Sequence, residues 1–490
     1  MMKQYLVLIS TTLHFVAASA QNVQLSLDDV IKIAQSSSMK FKLTETQKQI
    51  SYYQFQSYKS EYKPQITFYG NAPAYNKEYL AVRQPDGTIK FQAISQTNSN
   101  FGLGLSQKIA LTGGEVSVNT DLTRFDDFQS KEKQFNATPI YIRLTQPLFA
   151  FNELRWKKRI EPLKFEESKR IYIEQMEEIA RTSVNLFFSV LNAQTNINIA
   201  SSNLQAAELN YETENKRIKL GTTTEDKILQ LEMQVLLSQQ NLEKAKYDLE
   251  TSNLNLKTFS GLNNNNTYEL LIPDNVTFFS VNAESAIEYA RTNRSAFITF
   301  ERRKQEAQRD MAEAKADKQQ VLLTASLGYN NTGENIGQTY HDPKDQRRLN
   351  IGFNIPVVDW GRRKARFNTA SALEKFTIFN NESEENILVQ EIITQAKSIE
   401  LLRRNIALSK TSDSVSQRRY AIATKLYQVG KLSITDLSLA QIEKDNAKRS
   451  YIDALRQFWD SYYLMRKLTL FDFETNTPLY NDNQNSLQSK

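Results

Sequence analysis

The chain contains two copies of one sequence pattern, and this duplication limits its possible folds more than any other feature. The stretch Gln146–Phe151 recurs 209 residues later as Ile355–Trp360, and each stretch leads into a basic segment with helical spacing. The same shift relates Gly221 to Gly430. Similarity at a fixed offset indicates that one structural unit is used twice.

The first copy is longer because it contains an insertion. Leu25–Gln35 resembles Ser280–Arg291, but at a shift of about 256 residues. The two shifts together place an extra segment of roughly 47 residues between about 71 and 138. Within it, Phe101–Leu122 with its Thr112-Gly113-Gly114 turn predicts an added β-hairpin. This hairpin could enlarge a β-barrel or form an extracellular or periplasmic ornament.

Turn-forming residues are scarce, so the elements must be long. The 490 residues include only 14 glycines and 10 prolines, well below usual levels. Each copy has the order helix, strands, very long helix, tight turn, helix. We predict a first repeat over 21–260, with helices over about 26–63, 152–220 and 224–259 and β-segments over about 66–148. A linker follows over 261–282, then a second repeat over 283–470, with helices over about 283–319, 360–429 and 434–470 and β-segments over about 321–356, and a tail over 471–490.

The helices carry apolar residues at intervals of seven. One stripe of the first copy consists of Ile228, Val235, Leu242, Leu249 and Leu256, and a companion stripe of Leu231, Ser238, Ala245, Ser252 and Phe259. A strict seven-residue repeat predicts a left-handed supercoil, although an ordinary helix-bundle core explains the stripes equally well. At +209, Lys444 interrupts the corresponding stripe.

Six segments alternate between apolar and small or polar residues, which is typical of half-exposed strands. They are Ile66–Gly70, Phe101–Leu105, Val116–Leu122, Ile140–Thr145, Leu323–Tyr329 and Leu349–Ile355. In water the apolar face would pack on a helix, whereas in an outer membrane it would face lipid and the polar face would line a lumen. A transmembrane barrel needs about eight strands or more. Since one chain supplies four to six, several chains would have to share one barrel, for instance twelve strands from three chains.

The N-terminus predicts a secretory signal over 1–20. Lys3 precedes an apolar run, and Ala18-Ser19-Ala20 has the small-residue pattern of a cleavage site. The alternative, an N-terminal membrane anchor, is disfavoured because the run is shorter than the roughly 20 residues that a span requires.

Several functional classes lack the residues that they require. The chain has no cysteine and only two histidines, so disulfides, thiol chemistry and most metal sites are disfavoured. No phosphate-binding loop and no nucleophile motif is present, and we expect no catalytic residues, no metal and no cofactor. The net charge of +6 comes from interleaved acidic and basic residues, which is typical of solvated helices rather than of nucleic-acid binding.

These pieces resemble the TolC-like outer-membrane factors over essentially all of the mature chain. The matching segments are the signal, Leu25–Ala34, Lys63–Ile66, Gln146–Phe149 and Val357–Arg363, together with the paired glycine turns. The resemblance implies a mainly α fold with β: a trimeric α-helical tunnel plus a shared transmembrane β-barrel, built from two internal repeats per chain. It places the protein in the outer membrane of a Gram-negative bacterium, in contact with its lipid and with a large periplasmic part.

The resemblance also implies partners and a function. The chain would form a homotrimer that serves as the exit duct of a tripartite efflux or type I secretion system. It would act with a periplasmic adaptor protein and an inner-membrane transporter of the RND or ABC type. The alternative is a secreted, elongated coiled-coil protein such as an adhesin stalk, against which the strands and the ordered duplication argue.

The family's functional residues lie at the two helix–turn–helix tips. The positions that match the adaptor-contacting turns are Leu220, Gly221, Thr222, Thr224, Val429, Gly430, Leu432 and Ser433. In each turn the glycine would end one helix and a hydroxyl three residues later would cap the next.

A periplasmic gate is implied beside these tips. Asp436 matches the family's constricting aspartate and Tyr427 matches a gate tyrosine. The tyrosine's acidic partner would fall at Lys227, with Asp226 beside it, and the position of a second family aspartate is occupied by Leu439. The chain therefore departs from the family in the details of the gate.

Overall fold

The structure of the protein, a computed structural model, describes residues 22–219, 224–262, 267–273, 276–277, 279–316 and 320–480. The predicted signal over 1–20 and the last ten residues of the predicted tail lie outside this range. Among the helices of the described residues, none combines the length and the apolar character that crossing a membrane would require.

The described residues form helices and strands in an order that is repeated along the chain. In chain order they are β1 (Asn22–Leu25), α1 (Leu27–Ser37), α2 (Met39–Ser60), β2 (Gln65–Arg83), β3 (Ile89–Ile109), β4 (Gly114–Asp127), β5 (Lys133–Leu148), α3 (Glu153–Lys219), α4 (Glu225–Ser260), β6 (Thr267–Leu270), α5 (Ala283–Asn293), α6 (Ser295–Ala316), β7 (Gln320–Gly333), α7 (Ile336–Thr339), β8 (Lys344–Asn354), α8 (Arg362–Gln428), α9 (Ile434–Thr469), β9 (Phe471–Asp472) and β10 (Thr477–Pro478).

The two copies have helices of the same lengths. Helices α1 and α5 each contain 11 residues, and α2 and α6 each contain 22. Helices α3 and α8 each contain 67, and α4 and α9 each contain 36. The duplication predicted from the sequence is therefore present in the structure as two sets of four matched helices.

The predicted helices over 26–63 and 283–319 are each replaced by two helices. At the first break, Ser38 has an extended backbone and ends α1, while its hydroxyl accepts a hydrogen bond from the backbone N–H of Phe41, 3.0 Å away. One serine thus ends one helix and caps the next. The second break falls at Arg294.

The chain divides into two compact units. The helical unit comprises the N-terminal part as far as Thr46, Tyr172–Asn293 and the part from Glu391 onward; the sheet unit comprises Gln47–Ile171 and Arg294–Gln390. In the helical unit, the core includes the fully buried side chains of Phe187, Phe188, Ile452 and Leu455.

The seven-residue stripes form much of this buried surface. In α4 the companion stripe is buried at Leu231, Ser238 and Ala245, and both corresponding stripes of α9 are buried over most of their length. Lys444 is accommodated because its Nζ lies 3.2 Å from Asp445 Oδ1 and 4.4 Å from the ring centroid of Tyr420.

A buried ion pair ties α9 to α3 within the helical unit. Arg466 donates through Nε and Nη2 to both carboxylate oxygens of Glu177, at 2.8 and 3.0 Å. It also donates to Asp472 Oδ2 at 3.1 Å and to the Tyr462 hydroxyl at 3.2 Å. Burial raises the pKa of Glu177 above its usual range, although the neighbouring Arg466 lowers it. The pair therefore depends on both partners being present.

The sheet unit contains one six-stranded antiparallel sheet in the order β2-β3-β4-β5-β7-β8. All six segments that alternate in the sequence lie in these strands, except that Ile355, the last residue of its segment, follows the end of β8. The insertion of the first copy supplies β3 and β4, which pair with each other and lie between β2 and β5. It therefore enlarges the sheet by two strands and is not a separate ornament.

The two faces of this sheet differ in polarity. One row of opposed residues crosses the sheet as Ile66, Leu105, Val118, Ile142 and Leu327 and ends at Arg347 on the edge strand β8. The next row, on the opposite face, consists of Thr67, Gly104, Asn119, Tyr141, Gly328 and Gln346. On the polar face, the hydroxyls of Tyr69 and Tyr141 donate to the two oxygens of Asp121 at 2.7 and 2.8 Å. Gly102 leaves room for the Tyr69 ring, because a Cβ there would lie 2.5 Å from it.

The Arg466–Glu177 pair gives a prediction about stability. Arg466→Met leaves the Glu177 carboxylate buried without its cation, so we expect the free energy of unfolding to fall by about 3–5 kcal/mol. The matched control is Arg404→Met, which removes an ion pair with Glu400 whose side chains are 69% and 62% exposed. It should cost less than about 1 kcal/mol. Denaturant unfolding followed by circular dichroism measures both, and equal losses would contradict the assignment.

Candidate functional site at the paired helix turns

The α8–α9 turn is fixed by its own backbone. Gly430 has a left-handed φ of 75°, and nothing lies within 4 Å of a Cβ placed there, so the glycine is required by conformation and not by space. The N–H of Lys431 donates to the carbonyl of Leu426, and that of Gly430 to the carbonyl of Tyr427, both at 2.9 Å. These two bonds form the Schellman arrangement that satisfies the last carbonyls of a helix.

The next helix is capped by the hydroxyl expected from the sequence. Ser433 Oγ accepts a hydrogen bond from the backbone N–H of Asp436 at 3.1 Å and donates to Asp436 Oδ2 at 2.6 Å. Asp436 itself is exposed in the first turn of α9, where a negative charge is favourable to the helix dipole. Leu437, the next residue, is buried against Tyr427, Ala423 and Ala440.

The α3–α4 turn is described only in part. Leu220, Gly221 and Thr222, which the resemblance singles out, lie outside the described residues. Thr224 precedes α4 with an extended backbone, but its side chain makes no capping hydrogen bond. The prediction that a hydroxyl caps the second helix therefore holds for Ser433 and not for Thr224.

Tyr427 is bonded to a residue that the sequence analysis did not single out. Its hydroxyl donates to Glu214 Oε1 of α3 at 3.1 Å, and both side chains are buried. Arg217 donates through Nη1 to the same oxygen at 2.6 Å, and its Cζ lies 5.7 Å from the Tyr427 ring centroid. Burial, with a further contribution from the charge of Glu214, raises the pKa of Tyr427 to about 12.

The expected partner of Tyr427 on α4 is therefore corrected. The resemblance places an acidic group at Lys227, with Asp226 beside it, whereas the structure supplies Glu214 from α3. Asp226 and Lys227 are exposed and line the same cavity of about 580 Å³ as Glu214 and Tyr427. Glu214 and Tyr427 are 213 residues apart, so the sequence does not indicate that they are in contact. The one feature that could have drawn attention to Glu214 is its i, i+3 spacing to Arg217.

The remaining residues of the turn differ in exposure. Val429 is 67% exposed, Leu439 is 49% exposed and Leu432 is half-buried. Within the described residues, no group of three or more acidic or histidine side chains is placed to hold a metal ion. The arrangement can therefore present a fixed turn with an exposed apolar tip and, beside it, one buried tyrosine–carboxylate link.

Solved structures with a similar fold are outer-membrane channels. The CmeC channel of Campylobacter jejuni superposes with a TM-score of 0.67 at 16% identity, over 94% of this chain and 88% of that one. VceC of Vibrio cholerae gives 0.63 at 13% identity, over 90% and 95%. The open state of MtrE of Neisseria gonorrhoeae gives 0.58 at 15% identity, over 90% and 88%. The chain thus has the predicted TolC-like fold, which is mainly helical with a sheet and built from two repeats.

Sequence comparison locates both repeats in one family. No curated protein sequence matches the chain significantly. The sequence profile of the outer membrane efflux protein family, in contrast, matches residues 113–262 and 286–469. These two regions cover most of both copies. The family match and the similar channel structures together place the protein in the outer membrane, with a large periplasmic part. The chain belongs to the outer membrane efflux protein family.

Proposed function

We propose that the protein is a passive, homotrimeric exit duct, coupled through a periplasmic adaptor protein to an inner-membrane transporter of the RND or ABC type. The observation that carries the proposal is the six-stranded sheet with one apolar and one polar face and with both edges open. Family membership supports efflux across the outer membrane; the trimer, the adaptor and the transporter are inferred.

The open edges support closure with other copies of the chain. Among the residues that the structure describes, strands β2 and β8 each pair on one side only. Backbone groups at an open edge cannot be left unsatisfied in hydrocarbon, so transmembrane sheets close into barrels. Three sheets of six would give eighteen strands, within the range of bacterial outer-membrane barrels. We therefore replace the twelve strands expected for three chains of four with eighteen.

Helix α8 carries a surface that fits a neighbouring copy. Leu401, Leu408, Val415 and Ile422 are spaced by seven and are 60%, 68%, 48% and 60% exposed. Apolar residues with this spacing pack against another helix in coiled coils. The described part of this chain leaves the stripe exposed to solvent, and a second chain would cover it.

The gate would lie at the α8–α9 turn. In a trimer, three Asp436 carboxylates around a narrow pore would attract cations and repel anions. The buried bond from Tyr427 to Glu214 would hold α8 against α3 beside the closed pore, with Arg217 as its third member and Asp226 and Lys227 at its rim.

The adaptor would contact the two tips. We assign this contact to Leu220, Gly221, Thr222 and Thr224 in the first copy and to Val429, Gly430, Leu432 and Ser433 in the second. The exposed Val429 and the rigid Gly430 turn support this assignment, because a preformed surface loses little entropy on binding.

The first prediction tests the trimer. Leu408→Asp places a charge in the exposed stripe of α8, so we expect the trimer to dissociate or its melting temperature to fall. Ser414→Asp adds the same charge at an exposed position of the same helix away from the stripe and should leave the trimer intact. Size-exclusion chromatography with light scattering in detergent gives the mass. A mass that corresponds to a monomer for the wild-type protein would refute the proposed trimer.

The second prediction concerns the tyrosine link. Tyr427→Phe and Glu214→Gln weaken the same buried bond, so both should raise the conductance of single channels in planar bilayers. The Tyr427 hydroxyl has a raised pKa of about 12, so it stays protonated below that pH and the link should be insensitive to pH between 7 and 9. Tyr420→Phe removes a hydroxyl from the same helix and is the control. Conductance that is unchanged in both variants would refute the link.

The third prediction concerns Asp436. Asp436→Asn removes three charges from the pore of the proposed trimer while retaining an oxygen for the Ser433 hydroxyl. Cation selectivity, measured as the reversal potential in a salt gradient, should fall, and block by divalent cations should weaken. Asp248→Asn, at an exposed position of α4, is the matched control. Identical selectivity in the two variants would exclude Asp436 from the pore.

A further inference from the structure

Three large apolar side chains are almost fully exposed at one end of the sheet. Leu111 (88% exposed) lies in the β3–β4 turn, Phe149 (77%) follows β5 and Trp360 (95%) follows β8. The register brings these points to the same end of the sheet. Ile109 pairs with Gly114 at the β3–β4 turn, and Glu115 pairs with Thr145 near the end of β5. Leu148, the last residue of β5, and Phe353, the last but one of β8, both pair with Val321. We call this set the apolar rim.

The backbone holds the rim in place. Phe149 and Trp360 have left-handed φ values of 59° and 53°, a conformation that bulky residues rarely adopt. Each lies in a segment that joins a strand to a long helix, Phe149 between β5 and α3 and Trp360 between β8 and α8. The β3–β4 turn is fixed by Asn152, whose Nδ2 donates to the carbonyls of Ala110 and Leu111 at 3.0 and 3.2 Å. Large apolar groups presented on fixed backbone indicate an apolar partner.

Basic side chains follow the rim within a few residues. Arg155 and Lys158 at the start of α3, and Arg362 and Lys364 at the start of α8, are exposed. The nearest carboxylates in sequence have other partners: Glu153 pairs with Lys157 at 3.3 Å, and Asp359 pairs with Arg363. In the described part of the chain no carboxylate lies within ion-pair distance of these four residues, which we call the basic collar.

We propose that the rim and the collar together bind anionic phospholipids of the membrane leaflet that faces the periplasm. The rim side chains are large, apolar and exposed at one end of the sheet, so they would enter the acyl region. The collar begins two residues after Trp360 and six after Phe149, so it would lie beside the rim, at the level of the headgroups. Guanidinium and ammonium groups bind phosphate strongly, and unpaired cations favour anionic over zwitterionic headgroups. This inference requires the outer-membrane location and not the export activity.

The test measures lipid retained by the purified full-length protein. The collar variant carries Arg155→Gln, Lys158→Gln, Arg362→Gln and Lys364→Gln. The control carries Lys77→Gln, Lys90→Gln, Lys131→Gln and Lys344→Gln, four exposed positions in the sheet unit away from the collar. Native mass spectrometry after incubation with equal amounts of phosphatidylglycerol and phosphatidylcholine should show about tenfold less retained phosphatidylglycerol for the collar variant, with little change for the control.

Three outcomes would overturn the inference. They are equal retention by the two variants, displacement of the lipid by free glycerol phosphate, and dissociation of subunits in the collar variant without a change in lipid preference, which would assign the residues to a neighbouring copy. A second readout addresses the rim. Brominated phospholipids in vesicles should quench wild-type tryptophan fluorescence more than that of Trp360→Phe, and equal quenching would remove Trp360 from the membrane.

Discussion

Unpaired backbone groups at the edge of a sheet cannot remain in hydrocarbon, and the rest of this architecture depends on that constraint. The sheet has an apolar and a polar face, which is useful only if the polar face can enclose water. Six strands cannot close on themselves, so β2 and β8 must find strands elsewhere. In the proposed trimer, identical copies of the chain would supply them. The exposed stripe of Leu401 and Leu408 on α8 has the same explanation as the open edges. Formation of the trimer would bury the stripe and pair the edge strands together.

The duplication explains how the sheet could grow without disturbing the helices. The four helices of one copy match those of the other in length, although the first copy contributes four strands to the sheet and the second contributes two. An inserted hairpin adds one strand in each direction. Without the hairpin, the first copy would contribute two strands, and the chain would pass from the second of them into α3. With the hairpin, β5 runs in the direction of that second strand, so the chain reaches α3 at the same end of the sheet. An insertion of a single strand would have reversed that direction, so the even number is a geometric requirement.

The sequence predicted what depends on local periodicity and failed where the decisive contact is distant. Alternation located all six strands, and the interval of seven located most of the buried residues of α4 and about half of those of α9. The break at Ser38 was missed because no glycine or proline marks it in the sequence. Ser38 has an extended backbone that ends α1, and its hydroxyl caps α2. The partner of Tyr427 was missed for a different reason. Glu214 is on α3, and the spacing of residues within a helix does not show which other helix packs against the tyrosine. The family resemblance pointed to α4, where this chain carries Lys227.

Two sets of bonds hold the α8–α9 region: those within the turn itself, and the link from Tyr427 to Glu214 of α3. Backbone bonds around Gly430 and the Ser433 cap satisfy the helix ends from within the turn itself, so they do not depend on contacts with neighbouring helices. The link from Tyr427 to Glu214, in contrast, joins two helices and would be lost as soon as α8 and α3 separate. A proposed opening movement would therefore keep the tip intact as a surface for the adaptor and would break the buried link one turn away. Because that hydroxyl and that carboxylate are buried, separating them without admitting water would leave two unsatisfied groups, so water must enter as the helices part.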